Sequence, residues 1–231
     1  MFPSGAMRFR IIILILIIFL VWQIIRLFPG YSPFASLNKS HDALGVPVLV
    51  TVFYEALCPD SKSFVVSELL PSYTKAKSIL DYELIPYGKA KTIENSDGTL
   101  SFECQHGPPE CKANIIHACV LEILDDADKK LDVISCMIQD NILPDEALRT
   151  CAKLSNFDPE PVVECSISRK GAELLKKYGE ATNALRPTIT FIPTVLLDGS
   201  RGSQTAILKD LLGEVCKIVR NKDGNVPPQC K

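Results

Sequence analysis

Val46-Pro47-Val48-Leu49-Val50-Thr51-Val52-Phe53-Tyr54 runs almost directly into Cys58-Pro59-Asp60-Ser61, and this stretch decides the architecture. The run is β-branched or aromatic nearly throughout, the pattern of a central strand covered on both faces, and Pro47 is tolerable because it stands at the start. From Ser61 to about Ser78, Val66, Leu70 and Tyr73 recur at helical spacing with Val65 and Leu69 beside them, and Pro71 predicts a kink or a division in that helix. Tyr82 to Tyr87 reads as a second short strand. Strand, turn, helix, strand is a βαβ unit, the setting in which a thiol at the turn acquires chemical meaning.

Cys58 falls between the first strand and the first helix, beside unpaired backbone N–H groups and the positive end of the helix dipole. Pro59 suits the first helical turn, where its missing N–H is not needed. An ordinary thiol with a pKa of about 8.5 is only about 3 parts in 10,000 thiolate at pH 5, so work in an acidic compartment requires the thiolate to be stabilised. An ionised Asp60 opposes that, whereas the Ser61 hydroxyl could donate a hydrogen bond to the sulfur.

Further along, Gly88 to about Tyr178 is mostly helical in its periodicity. Ile116, Val120, Ile123 and Leu124 form one apolar stripe, and Ala147, Leu148, Cys151 and Leu154 form another. A segment of this size is awkward as a structureless loop, so it reads as a helical insertion between the two halves of the fold. Ile189 to Leu197 returns to a β pattern with Pro193 in its middle and an Asp198-Gly199 turn after it. From Gln204 to Arg220, Ile207, Leu211, Val215 and Val219 recur every fourth residue, which predicts an amphipathic helix closing the sheet.

A chain of 231 residues, 47% of them apolar, can bury one substantial core, and a single domain over 46–231 is the default. Arg8, Arg10 and Arg26 are the only charged side chains in the first 28 residues; setting them aside leaves 22 basic against 27 acidic residues, a balance that disfavours nucleic acid. Nine cysteines exceed what a reducing cytosol usually sustains, and no spacing gives paired Cys-x-x-Cys hooks for zinc. An odd count leaves at least one thiol free or paired between molecules. Position and parity assign that role to Cys58. Cys104, Cys111, Cys119, Cys136, Cys151, Cys165, Cys216 and Cys230 then remain as staples for the insertion and the C-terminal tail, and sequence alone does not choose among their 105 pairings.

The N-terminus sets the compartment. Ile11 to Ile25 is apolar except for Gln23 and is flanked by Arg8, Arg10 and Arg26, the layout of an export signal within residues 1–30. It is shorter than the roughly 20 residues that span a bilayer comfortably. Both an uncleaved anchor and a removed signal peptide stay open, and both place the cysteine-rich body in the lumen or outside the cell. Residues 31–45 form a polar linker in which Asn38-Lys39-Ser40 is the only glycosylation sequon.

Cys104-Gln105-His106-Gly107-Pro108-Pro109-Glu110-Cys111, followed by Asn114 and Cys119, sets three thiols at fixed spacing around a Gly-Pro-Pro breaker. The run resembles the signature of the gamma-interferon-inducible lysosomal thiol reductase (GILT) family, in which Cys-Gln-His-Gly is followed by Glu-Cys, an Asn and a further Cys. The resemblance covers about Val46 to Lys231. It implies an α/β thioredoxin-like fold with a disulfide-stapled helical insertion at about 88–178. It also implies thiol oxidoreductase activity on disulfide-containing proteins, delivery to a lysosomal or endosomal lumen or to the outside of the cell, and a role in antigen or pathogen protein processing. No cofactor is implied beyond an external thiol reductant.

Members of that family generally carry Cys-x-x-Cys at the reactive turn, where the second thiol releases the mixed disulfide. Ser61 departs from the pattern. Serine cannot resolve a mixed disulfide, so Cys58 could attack a substrate while an external thiol, or another cysteine, finishes the cycle. Ile192-Pro193-Thr194 resembles the cis-proline loop that faces the reactive turn and offers backbone groups to an extended substrate. Thr194 stands where the family often has Trp, which removes part of the expected substrate wall. His106, in a turn rich in Gly and Pro, reads as a hydrogen-bonded structural residue, His117 as packing on a helix, and His41 as linker. Three scattered histidines give no metal cluster and no Cys-His-Asn protease arrangement. Two readings follow: a thiol oxidoreductase with a monothiol Cys58 nucleophile, or a non-catalytic relative that binds substrates.

Overall fold

The computed structural model describes residues 46–223 and 226–231. The N-terminal apolar segment, the linker and Asn38 lie outside the described residues. Among those that are described, no helix is long and apolar enough to cross a membrane.

Strand β1, Val48–Tyr54, lies between β2, Leu80–Pro86, and β5, Thr194–Leu197. It pairs parallel with β2, Val48 facing Leu80 and Tyr54 facing Pro86, and antiparallel with β5, Val50 facing Leu197. The parallel pairing requires a crossover, which is the helical stretch that begins at Pro59. Val48, Val50, Val52 and Tyr54 project to one face and are fully buried, each burial of this kind being worth about 1.5–3 kcal/mol. Phe53 is buried on the opposite face with Ile85 and Leu196, beneath Tyr178 and Leu185.

The crossover is divided, as Pro71 predicts. Helix α1, Pro59–Phe64, passes into a π-turn, Val65–Leu69, and then into α2, Leu70–Ala76. The wider π ladder brings the chain to Pro71, in the first turn of α2, where no N–H is needed.

The insertion opens with a β-hairpin that the helical periodicity did not predict: β3, Lys91–Glu94, and β4, Leu100–Glu103, pair antiparallel around Asp97-Gly98. Helices α3 (Pro108–Ile123), α4 (Ala127–Met137), α5 (Pro144–Leu154), α6 (Glu160–Ile167) and α7 (Arg169–Ala184) follow. Ile116 and Val120 of α3 and Leu148 and Cys151 of α5 are buried as expected, but Leu154 is exposed at the end of its helix. The apolar cluster that holds β1 also holds Ile116, Leu131, Ile134, Leu148 and Val162, so insertion and sheet share one core.

Two boundaries differ from expectation. Only Thr194–Leu197 is strand, because the residues before it form the loop around Pro193. The C-terminal helix is broken into α8, Gln204–Ile207, and α9, Leu211–Asp223. Asp210 causes the break by accepting a hydrogen bond from Gly213 N at 2.9 Å, while Glu68 Oε2 accepts from Leu211 N at 3.1 Å; both satisfy N–H groups at the start of α9. Ile207, Leu211, Val215 and Val219 are nonetheless all buried.

Eight cysteines pair as Cys104–Cys111, Cys119–Cys165, Cys136–Cys151 and Cys216–Cys230, and the ninth, Cys58, is a free thiol. Three bridges lie within the insertion and the fourth ties the C-terminal tail to α9.

Candidate active site

Cys58 caps the N-terminus of α1 with extended backbone, φ −70° and ψ 124°, and its carbonyl accepts from Lys62 N at 3.0 Å. The sulfur makes no capping hydrogen bond to the helix. Its neighbour lies across the fold, where Sγ is 3.8 Å from the carbonyl oxygen of Ile192. The Ile192–Pro193 peptide is cis, and so is Arg186–Pro187. The structure thus sets the reactive turn against the proline loop, residues separated by 134 positions in sequence.

Ser61 is completely buried. Its hydroxyl, expected to face the sulfur, instead accepts from Glu55 N at 3.3 Å and so holds the turn that leads to Cys58. Asp60 is exposed. Thr194, expected along the substrate wall, is turned inward and donates to the Phe191 carbonyl at 2.7 Å. Phe191 takes the surface position instead, at 40% exposure. A residue before the cis proline carried no signal that distinguished it from the apolar run around it.

The signature run explains how the reactive loop is fixed. Asn114, buried on α3, accepts from Ala56 N through Oδ1 at 2.9 Å. Asn141, between α4 and α5, donates through Nδ2 to the Ala56 carbonyl at 3.4 Å and to His117 Nε2 at 3.0 Å. With Nε2 accepting, His117 carries its proton on Nδ1 and donates to Tyr54 Oη at 3.0 Å. Burial without a charged partner lowers the His117 pKa to about 3, so the imidazole is neutral, and the same burial raises the Tyr54 phenol well above its ordinary value. Both backbone groups of Ala56, two residues before the thiol, are therefore held by the insertion.

Cys104 and Cys111 are bridged to each other, and Cys119 is bridged to Cys165, so the thiols of the signature are structural rather than near Cys58 in bonding. Gln105 is exposed, and Gly107 precedes the first turn of α3. His106 Nδ1 lies 2.5 Å from Glu110 Oε2 and 3.6 Å from Glu55 Oε2, and Glu110 Oε1 also accepts from His106 N at 3.0 Å. Burial raises the Glu55 carboxyl above its usual value, opposed by the Lys89 N–H that donates to Oε1 at 2.7 Å. The meeting of Glu55 with His106 and Glu110 was not legible in the sequence, since Glu55 carries no signature of its own.

A free thiol at a helix start, facing a cis-proline loop, can attack a disulfide laid along that loop. Comparisons with known proteins agree with the fold and the motif. A family model described as gamma interferon inducible lysosomal thiol reductase (GILT) matches residues 49–155. The gamma-interferon-inducible lysosomal thiol reductase of Carassius auratus is 32% identical over 189 residues, covering 80% of this chain and 72% of that protein. Its Mus musculus counterpart is 31% identical over 182 residues, covering 77% of this chain and 70% of that protein. Among solved structures, Chlamydia trachomatis DsbA aligns with a TM-score of 0.53 at 15% identity, over 77% of this chain and 87% of that one, a likeness of fold. With a thioredoxin-like core, a stapled insertion and these relatives, the chain belongs to the gamma-interferon-inducible lysosomal thiol reductase family.

Proposed function

We propose that this chain is a thiol–disulfide oxidoreductase acting on protein disulfides through Cys58 as a monothiol nucleophile. The observation that carries the reading is the single free thiol at the start of α1, 3.8 Å from the carbonyl of the residue before the cis proline. The Cys58 thiolate attacks one sulfur of the substrate disulfide; that S–S bond breaks, a Cys58–substrate disulfide forms, and the departing substrate thiolate takes up a proton. A small external thiol attacks Cys58 Sγ of the mixed disulfide and frees the second substrate thiol. A second external thiol then attacks the sulfur of the first in the Cys58–thiol disulfide; that S–S bond breaks, Cys58 leaves as its thiolate, and the two external thiols are joined as a disulfide. In sum, one substrate disulfide is reduced as two external thiols become one disulfide. No cofactor is required.

Phe191, exposed beside the buried Ile192 and Pro193, offers the apolar surface along which an extended substrate lies. The relatives whose names place them in the lysosome, together with the four disulfides, support a lysosomal or endosomal lumen, or the outside of the cell, as the working compartment. An N-terminal signal or anchor in residues 1–30 and glycosylation at Asn38 fit that route.

A second reading, capture of cysteine-rich proteins without turnover, is favoured by Ser61 alone. Reduction of a fluorescent disulfide substrate at pH 5 with excess small thiol separates the two. Wild-type turnover that falls to the uncatalysed rate in Cys58→Ala supports the enzyme; equal rates in both support the binding protein. Ser61→Cys is expected to raise turnover at limiting external thiol, and no gain would mean that a resolving thiol is not what limits the cycle.

A further inference from the structure

We propose that Glu55, His106 and Glu110 form a zinc site, separate from the reactive thiol, that ties the end of β1 to the start of α3. One ligand atom from each of the three residues lies within 4.8 Å of the others. Four-coordinate zinc with ligands at about 2.0–2.2 Å holds adjacent ligand atoms about 3.3 Å apart, so a shift of an ångström or so closes the set. The 3.6 Å between His106 Nδ1 and Glu55 Oε2 is already near that edge length.

The two carboxylates are not surface groups that happen to be close. Glu55 is 1% exposed and Glu110 is fully buried. Glu55 Oε2 is buried and has no hydrogen-bond partner, although it points towards His106, and a buried carboxylate oxygen left in that condition is costly. The other Glu55 oxygen is occupied by Lys89 N. Gly88, with φ +59°, makes room for this arrangement, because a Cβ there would stand 2.2 Å from Glu55 Cγ. His106, in the turn before α3, and Glu110, in the first turn of that helix, are four residues apart and are enclosed by the Cys104–Cys111 bridge.

Two carboxylate charges brought together in a buried place call for a compensating cation. The hydrogen now shared between His106 Nδ1 and Glu110 Oε2 is the one a metal ion displaces. One imidazole nitrogen and two carboxylate oxygens are a donor set suited to zinc, and His106, at 36% exposure, supplies the entry path and room for water to complete the coordination. Sulfur plays no part, since Cys104 and Cys111 are bonded to each other.

The test uses the full chain carrying Cys58→Ala, which removes the one free thiol that would itself bind metal, at pH 7.5. Zinc titrated into this protein by calorimetry is expected to bind one ion per chain and to raise the melting temperature, and cobalt in its place is expected to give visible ligand-field bands without sulfur-to-metal charge transfer. Addition of His106→Ala, a change at a partly exposed side chain, is expected to abolish uptake, the melting shift and the cobalt spectrum. Glu55→Gln is expected to do the same. Absence of uptake in the Cys58→Ala protein would overturn the proposal, and so would uptake of equal affinity and stoichiometry after His106→Ala, which would mark an adventitious ion elsewhere.

Discussion

His117 shows how much a single buried side chain controls at the reactive turn. Its ring bridges Tyr54 of β1 and Asn141, whose amide also holds the Ala56 carbonyl. In the unfolded chain its pKa is the ordinary 6.5, and in the folded chain it is about 3. The unfolded state therefore binds the extra proton between those values, so the stability contributed by neutral His117 is present above pH 6.5 and is lost as pH falls towards 3. Between pH 7 and pH 5 the loss is about 2 kcal/mol. Glu55, whose carboxyl is pushed up by burial, works in the opposite sense, taking up its proton more readily in the folded chain as pH falls. Replacing only the imidazole isolates its share. Urea denaturation of wild type and His117→Gln at both pH values is expected to show the smaller pH dependence in the variant, whatever its absolute stability. An equal dependence in both proteins would mean that the ring takes up its proton inside the fold.

At the scale of elements, helix α7 carries a substitution whose outcome reverses the usual rule. Alanine in place of a helical glycine ordinarily stabilises by about 1 kcal/mol. A Cβ at Gly179, however, would stand 2.5 Å from Tyr87 Cε2, and Tyr87 is 1% exposed with its hydroxyl bonded to Thr92 Oγ1 at 2.9 Å. Neither ring nor helix has space to yield, so Gly179→Ala is expected to destabilise by about 1–2 kcal/mol in chemical denaturation. A gain in stability would show that the ring rotates out of the way.

The elements also show what the sequence could and could not reveal. β1 was legible because an apolar β-branched run has few other uses, and the division at Pro71 because a ring nitrogen cannot donate. The hairpin of β3 and β4 was missed although Asp97-Gly98 marks its turn, because its strands are short and mostly exposed and so lack an apolar pattern. The break at Asp210 was hidden by an apolar spacing that persists across it. What no local pattern carries is long-range pairing. Asn114 meets Ala56 across 58 residues, His117 meets Tyr54 across 63, and Asn141 meets Ala56 across 85. The thiol itself could be found by position and parity; the residues that hold it required the fold.

For the whole molecule, the bridges are unequal. Cys119–Cys165 closes 46 residues and fastens α3 to α6, whereas Cys104–Cys111 closes only 7. On the chain-entropy account the longer loop is worth about 4 kcal/mol and the shorter roughly 2–3 kcal/mol. Replacing both Cys119 and Cys165 by alanine is expected to lower the denaturation midpoint more than the same change at Cys104 and Cys111, and the reverse order would assign the stabilisation to local strain relief or packing instead.

The two asparagine contacts to Ala56 have an implication for modularity. Because Asn114 and Asn141 both belong to the segment between β2 and β5, that segment is part of the frame that holds the Cys58 turn and not an ornament that can be trimmed away. A pared-down scaffold keeping only the sheet and its flanking helices would retain the free thiol yet lose the grip on its supporting turn. Any transplantation of this thiol onto a smaller host must carry the two amides with it.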